Sequence, residues 1–209
     1  MKRILIVTDI QNDFCPGGAL ATELGDQIIP NVNLMLHSGT FERAIATQDW
    51  HPANHISFAS RHNKKPYETI HLPYGEQVLW PDHCVQKTWG AEFRPSLDDH
   101  NIHFIVRKGY HEYINGYSGF FENDRKTATG MHAIVNHITG GEDFLLVICG
   151  IATDYCVFYS ALDARRKLGY KNVVVVTDAC SGVSSSQSAK ALAIMAEAGV
   201  KLQKTEELL

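Results

Sequence analysis

Long hydrophobic runs are missing from this chain of 209 residues. Its most apolar stretches, Phe144–Gly150 and Val173–Val176, fall far short of the roughly 20 residues a bilayer span needs, so no membrane partner is expected. A basic excess is missing too. The 19 Lys and Arg against 23 Asp and Glu leave a net charge of −4, with no surplus to neutralise phosphates. Nucleic acid is therefore not an expected partner. There is no internal repeat, low-complexity tract or Pro/Gly-rich linker, and residues 1–209 read as a single domain around one growing core. The five cysteines, Cys15, Cys84, Cys149, Cys156 and Cys180, are odd in number and form no CxxC pair. A disulfide framework is not expected from that pattern, and a reducing cytoplasm is the expected location. Two basic residues, Lys2 and Arg3, precede an apolar run as in a leader peptide. Asp9 ends that run early and no small-residue cleavage site follows, so it reads as a first strand.

Apolar strands alternating with amphipathic segments fill the rest. Strands are expected at Arg3–Thr8, Arg43–Thr47, His103–Arg107, Phe144–Cys149, Val173–Thr177 and Val200–Leu202. Helices are expected at Leu24–His37, Thr129–Ile138, Thr153–Leu168 and Ser185–Ala198. The strands are continuous apolar runs, which points to burial on both faces. The expected fold class is α/β: a doubly wound, mainly parallel six-stranded sheet with helices on both faces. The stretch Trp50–Trp89 breaks the alternation. It carries Pro52, Pro66, Pro73 and Pro81 and reads as an excursion between strands 2 and 3, with a small strand pair, folded over the site.

Ligands of an open parallel sheet bind beyond the carboxyl ends of its strands. The residues expected there are Asp9, Asp49 with His51, Lys108, the Gly150–Cys156 turn and Asp178. Cys156 follows a strand, a glycine break and Thr153, a candidate N-cap. At the third helical position its thiol would feel the positive end of the helix dipole, which favours thiolate. Backbone N–H groups of Ala152 and Cys156 would lie nearby as an oxyanion hole. The same cysteine taken alone also fits an inert buried thiol. Asp9 fits either a turn cap or a carboxylate that takes the thiol proton. Lys108 fits either a solvated surface charge or a cation that stabilises a thiolate. Asp49-Trp-His51 places two ligand types at i and i+2, and His83 follows in Trp80-Pro-Asp-His83-Cys84. Asp plus two His suits a borderline divalent ion, with zinc, manganese and iron as candidates. His55 and Ser60 stay open as fourth or outer ligands. Phe14, Trp80, Trp89, Tyr117 and Tyr155 offer rings for a flat heteroaromatic molecule or for plain packing.

Six stretches, in order along the chain, resemble the nicotinamidase/pyrazinamidase family within the isochorismatase-like cysteine hydrolases. They are Asp9-Ile-Gln-Asn-Asp-Phe-Cys-Pro-Gly-Gly-Ala-Leu, Thr47-Gln-Asp-Trp-His-Pro-Ala-Asn-His-Ile-Ser-Phe-Ala-Ser, Trp80-Pro-Asp-His-Cys-Val-Gln, Arg107-Lys-Gly, Tyr117-Ser-Gly-Phe and Gly150-Ile-Ala-Thr-Asp-Tyr-Cys-Val. The resemblance implies Asp9, Lys108 and Cys156 as the catalytic triad. It implies Asp49, His51 and His83 as ligands of one divalent metal, zinc first, manganese or iron otherwise. Phe14, Trp80 and Tyr117 would flank a pyridine ring, and a cis peptide would precede Ala152. The implied activity is hydrolysis of nicotinamide to nicotinate and ammonia in NAD salvage, and of pyrazinamide to pyrazinoate. The segment Tyr110–Gly116 is longer than in compact members and leaves the lid's shape open. A homo-oligomer is compatible with the sequence. The nearest alternative is a related amidase acting on a carbamoyl or ureido group, whose relatives generally lack the Asp-x-His plus His set. Further away stand a non-catalytic α/β small-molecule-binding protein and a redox sensor. Asp9-Ile-Gln-Asn-Asp lacks the glycine-rich phosphate loop that a nucleotide binder of this type would carry.

Overall fold

The computed structural model describes residues 1–209. Six strands form one sheet: β1 (Lys2–Thr8), β2 (Arg43–Asp49), β5 (Phe104–Lys108), β6 (Phe144–Ile151), β7 (Asn172–Ser181) and β8 (Lys201–Gln203). Two more, β3 (Thr69–Leu72) and β4 (Gly75–Val78), make the separate antiparallel hairpin expected in the excursion. The helices are α1 (Ile29–His37), α2 (Met131–Thr139), α3 (Cys156–Leu162) and α4 (Ser185–Glu197). The sheet order is β5-β2-β1-β6-β7-β8, and every neighbouring pair in it is parallel.

The two-residue period of a strand sorts the core into two layers. From β1, β6 and β7, Leu5, Val7, Val147, Cys149, Val174 and Val176 pack on one face, with Ile29, Val32 and Met35 of α1. Their neighbours Ile4, Ile6, Leu146, Ile148, Val173 and Val175 pack on the other, with Met131 and Val135 of α2, Val157 and Ala161 of α3, and Met195 of α4. Each of the valine, leucine, isoleucine and methionine side chains contributes about 1.5–3 kcal/mol by leaving water.

Several expectations are corrected at element ends. The edge strands are not buried on both faces. In β5, Ile105 and Arg107 are exposed while Val106 and Lys108 are buried, and β8 is largely exposed, because an edge strand has a neighbour on one side only. Helix α1 starts at Ile29 rather than Leu24, with Pro30 in its first turn, where a missing N–H costs nothing. Helix α2 starts after Gly130, whose φ of +97° no L-residue adopts comfortably. Asp49 and Lys108 are the last residues of their strands rather than the first residues after them. Asp178 lies inside β7, and its carboxylate accepts from the Thr205 N–H and hydroxyl, so it takes no part in the ligand edge.

The chain builds outward from β1 to β2 and β5, then returns to lay β6 on the other side of β1. Strand order reverses between β1 and β6. Their carboxyl ends part there and leave a crevice.

Candidate active site

Asp9 and Cys156 face each other across that crevice. Asp9 follows β1 with φ of +46°, a left-handed turn that ends the strand abruptly. Cys156 is the first residue of α3, not the third helical residue. Thr153 does not cap the helix; its N–H donates to the Ser181 carbonyl at 3.0 Å, which pins the turn to β7 instead. The Ile151–Ala152 peptide is cis. Tyr155 and Val157 N–H both donate to the Ala152 carbonyl, whereas the N–H groups of Ala152 and Cys156 donate to no carbonyl.

Lys108 enters from the end of β5 and is wholly buried. Its ammonium donates to Asp49 Oδ1 at 2.5 Å, Gly116 O at 3.0 Å and Cys156 Sγ at 3.4 Å. Those three bonds use all three of its protons. Asp9 Oδ2 lies 2.9 Å away as an ion pair but outside hydrogen-bonding angles, and it accepts from nothing. Asp9 Oδ1 accepts from the Thr47 hydroxyl at 2.6 Å. One carboxylate oxygen is therefore anchored and the other is free, with Asp9, Asp49 and Cys156 atoms within 4.8 Å of one another.

Burial sets the charges. It raises Asp9, with Asp49 adding to the rise and Lys108 opposing it. It also lifts the Cys156 thiol well above the ordinary range, with Lys108 pulling down and Asp9 and Asp49 pushing up. The thiolate expected from the helix dipole is thus corrected: the resting group is a thiol, because burial and two carboxylates outweigh one cation. Burial alone would lower Lys108, but Asp49 and Asp9 hold its ammonium far above the usual range. Asp49 itself stays ionised against burial, held down by Lys108 and His51.

Asp49 also faces the second cluster. Its Oδ2 is 3.5 Å from His51 Nε2, and donor atoms of Asp49, His51 and His83 lie within 4.8 Å of one another, all three residues buried. His51 Nδ1–H donates to Gly109 O at 2.7 Å, and His83 Nδ1–H donates to Pro81 O at 2.7 Å. Both rings therefore present an Nε2 lone pair. Burial lowers His83 to about 4, so it is neutral and ready to ligate. An Asp oxygen and two neutral imidazole nitrogens fit a divalent ion with open positions. The two outer candidates do not join this set. His55 donates Nε2–H to Ile114 O at 3.2 Å and takes Ser57 at Nδ1, so neither nitrogen is free; it stacks on His51 at 4.1 Å. The Ser60 hydroxyl is turned outward to Asp82 at 2.6 Å.

A cavity joins the two clusters. Phe14, Trp80, Tyr117 and Tyr155 line it, together with Asp49, His83, Asn115, Ala152 and Cys156. Trp80 Nε1–H donates to Tyr117 Oη at 3.1 Å, and Trp80 meets Tyr155 edge to face at 4.8 Å. Trp89 is elsewhere, 53% exposed on the surface. Leu20, Asn115 and Val183 line the cavity without having been singled out in the sequence.

The isochorismatase domain matches residues 3–207. A nicotinamidase of Acinetobacter baylyi is 50% identical over 88% of this chain and 83% of its own. The chain belongs to the nicotinamidase/pyrazinamidase family. A solved nicotinamidase/pyrazinamidase of Acinetobacter baumanii superposes with a TM-score of 0.92 at 46% identity, covering 100% of this chain and 98% of that one. The pyrazinamidase of Pyrococcus horikoshii, solved in complex with zinc, superposes with a TM-score of 0.77 at 36% identity over 98% and 99%. No helix of this family member is long and apolar enough to cross a membrane.

Supports of the site went unread in the sequence. Gln11 clamps Asp49 through both backbone groups: Nε2–H donates to Asp49 O at 2.8 Å, and Oε1 accepts from Asp49 N at 2.8 Å. Asp13 accepts from Cys84 N at 2.7 Å and Ala19 N at 3.1 Å, tying the His83 turn to the Phe14 loop. Both lie in the Asp9-Ile-Gln-Asn-Asp run, so a signal was present.

Proposed function

We propose that this chain is a metal-dependent cysteine amidohydrolase that converts nicotinamide to nicotinate and ammonia, and pyrazinamide to pyrazinoate, in NAD salvage. The observation that carries the reading is the meeting of Cys156 Sγ, Lys108 Nζ and the free Asp9 Oδ2 beside the Asp49–His51–His83 cluster, with Cys156, Asp49 and His83 lining one cavity together with aromatic rings.

The chemistry follows from those atoms. The free Asp9 oxygen takes the thiol proton, and the sulfur, already accepting from Lys108, attacks the carboxamide carbon. The C–S bond forms as the carbonyl π pair moves onto oxygen. The unpaired N–H groups of Ala152 and Cys156 receive that oxyanion; a donor of this kind is worth about 3–4 kcal/mol. Asp9 returns its proton to the nitrogen, the C–N bond breaks and ammonia leaves. Asp9 then deprotonates water, which cleaves the thioester, and the proton passes back to sulfur. A neutral resting thiol suits this scheme, since an acceptor oxygen waits beside it. Asp49, His51 and His83 would hold the divalent ion, zinc by preference with manganese or iron as alternatives, which would supply a Lewis acid toward the ring nitrogen, directly or through water. Phe14, Trp80 and Tyr117 hold the ring flat. Residues 1–209 act as one hydrolase domain, in the cytoplasm, as a monomer or homo-oligomer.

Ammonia release from nicotinamide by the purified protein tests the reading. Turnover that stops on chelation and returns with zinc supports it. No release with zinc, manganese or iron added refutes it.

A further inference from the structure

Glu122 is a buried carboxylate that the mechanism does not use. Its residue is 1% exposed, and the nearby cation, the Lys108 ammonium, forms its ion pairs with Asp9 and Asp49 instead. What Glu122 holds is backbone. Gly109 N–H donates to its Oε1 at 3.1 Å and its Oε2 at 3.4 Å. The far end of the same loop packs on it, for a Cβ built on Gly116 would lie 1.6 Å from Glu122 Oε2. Glu122 is itself fixed, because its N–H donates to Thr127 O and its carbonyl accepts from Arg125 N, both at 2.9 Å.

The two ends of that loop are where the active site takes its carbonyls. Gly109 O accepts the Nδ1–H of His51, which leaves Nε2 free toward the metal cluster. Gly116 O accepts from the Lys108 ammonium. Gly109 has no slack of its own: at φ of +61°, its would-be Cβ falls 2.3 Å from the His51 ring.

We propose that Glu122 is a positioning residue: one carboxylate pins both ends of the Gly109–Gly116 loop, so that one carbonyl fixes the tautomer and aim of His51 and the other seats Lys108. This rests on the reading of His51 as a metal ligand and Lys108 as a catalytic group. It requires an acceptor oxygen at Glu122, not a charge.

Zinc titration of the metal-free protein by calorimetry tests this without any substrate, so its outcome stands apart from that of the nicotinamide assay. Glu122→Met keeps the volume and loses the acceptor; it should weaken zinc by about 10–100-fold, the usual effect of losing a partner that orients a ligand. Glu122→Gln keeps an acceptor oxygen and should bind zinc within about threefold of the parent. Loss in the first and rescue in the second, with both variants folded, supports the proposal. Equal zinc affinity of a folded Glu122→Met and the parent overturns it, and so does a Glu122→Gln as weak as Glu122→Met. Should Glu122→Met not fold, Glu122→Asp, whose carboxylate is withdrawn by one methylene, is judged on the same zinc criterion.

Discussion

Asp49 gives one oxygen to Lys108 and turns the other to His51: Oδ1 lies 2.5 Å from the ammonium, and Oδ2 lies 3.5 Å from Nε2. A single carboxylate thus couples the nucleophile's cation to the metal cluster. Asp49→Asn keeps the shape and removes the charge. It should weaken zinc by at least about tenfold and, with zinc saturating, still lower kcat, because Lys108 loses its shortest ion pair. Zinc calorimetry and turnover at saturating zinc separate the two effects. A variant weakened in zinc binding alone would show the coupling to be idle.

Removal of Lys108 should unfold the site as well as silence it. The ammonium is the one cation paired with both Asp9 and Asp49, and all three groups are buried. Lys108→Met leaves two carboxylates without a counter-charge, which costs about 3–5 kcal/mol in metal-free protein. Urea unfolding checks this, and the loss should shrink when zinc is added.

The pH dependence of stability has two opposed parts. Burial lowers His55 from 6.5 to about 2 and His83 from 6.5 to about 4. Unfolded chains therefore bind these protons first, so their contribution is present above pH 6.5 and drains away as pH falls toward 4. Burial raises Glu122 from 4.5 to about 7, so its contribution has the other sign and declines as pH rises from 4.5 to 7. Burial raises Asp9 as well, with the same sign as Glu122, but both histidines lose their contribution across the whole window, so the melting temperature of metal-free protein should still drop between pH 6.5 and 4. His55→Gln should flatten that drop, whereas Glu122→Gln should remove part of the opposition and steepen it.

Stripping the metal should lower stability by mass action. Zinc at about a thousand times its Kd adds about 4 kcal/mol to a protein that binds it only when folded. Calorimetric scans with chelator and with zinc check this. A melting temperature indifferent to zinc contradicts the assignment of Asp49, His51 and His83.

The sheet was legible because β1, β6 and β7 are buried apolar runs, and Asp9 and Asp49 were legible because they end buried strands; Lys108 was legible because it closes a strand before Gly109. The edge strands β5 and β8 read less well, since one exposed side dilutes their pattern. Glu122 stayed hidden because it binds a backbone N–H that the fold alone brings near; Gln11 and Asp13 lie in a legible run, but the backbone groups they hold, on Asp49 and Cys84, are not marked in sequence. The state of Cys156 was misread for a related reason. A helix start is visible in sequence, but the burial and the two carboxylates that outweigh it are not.

Mass spectrometry of acid-quenched protein during turnover of nicotinamide tests the central assignment most directly. The account predicts a nicotinoyl group on the peptide that carries Cys156, absent from Cys156→Ala, which also releases no ammonia. Turnover by Cys156→Ala, or an acyl group on any other residue, would contradict it.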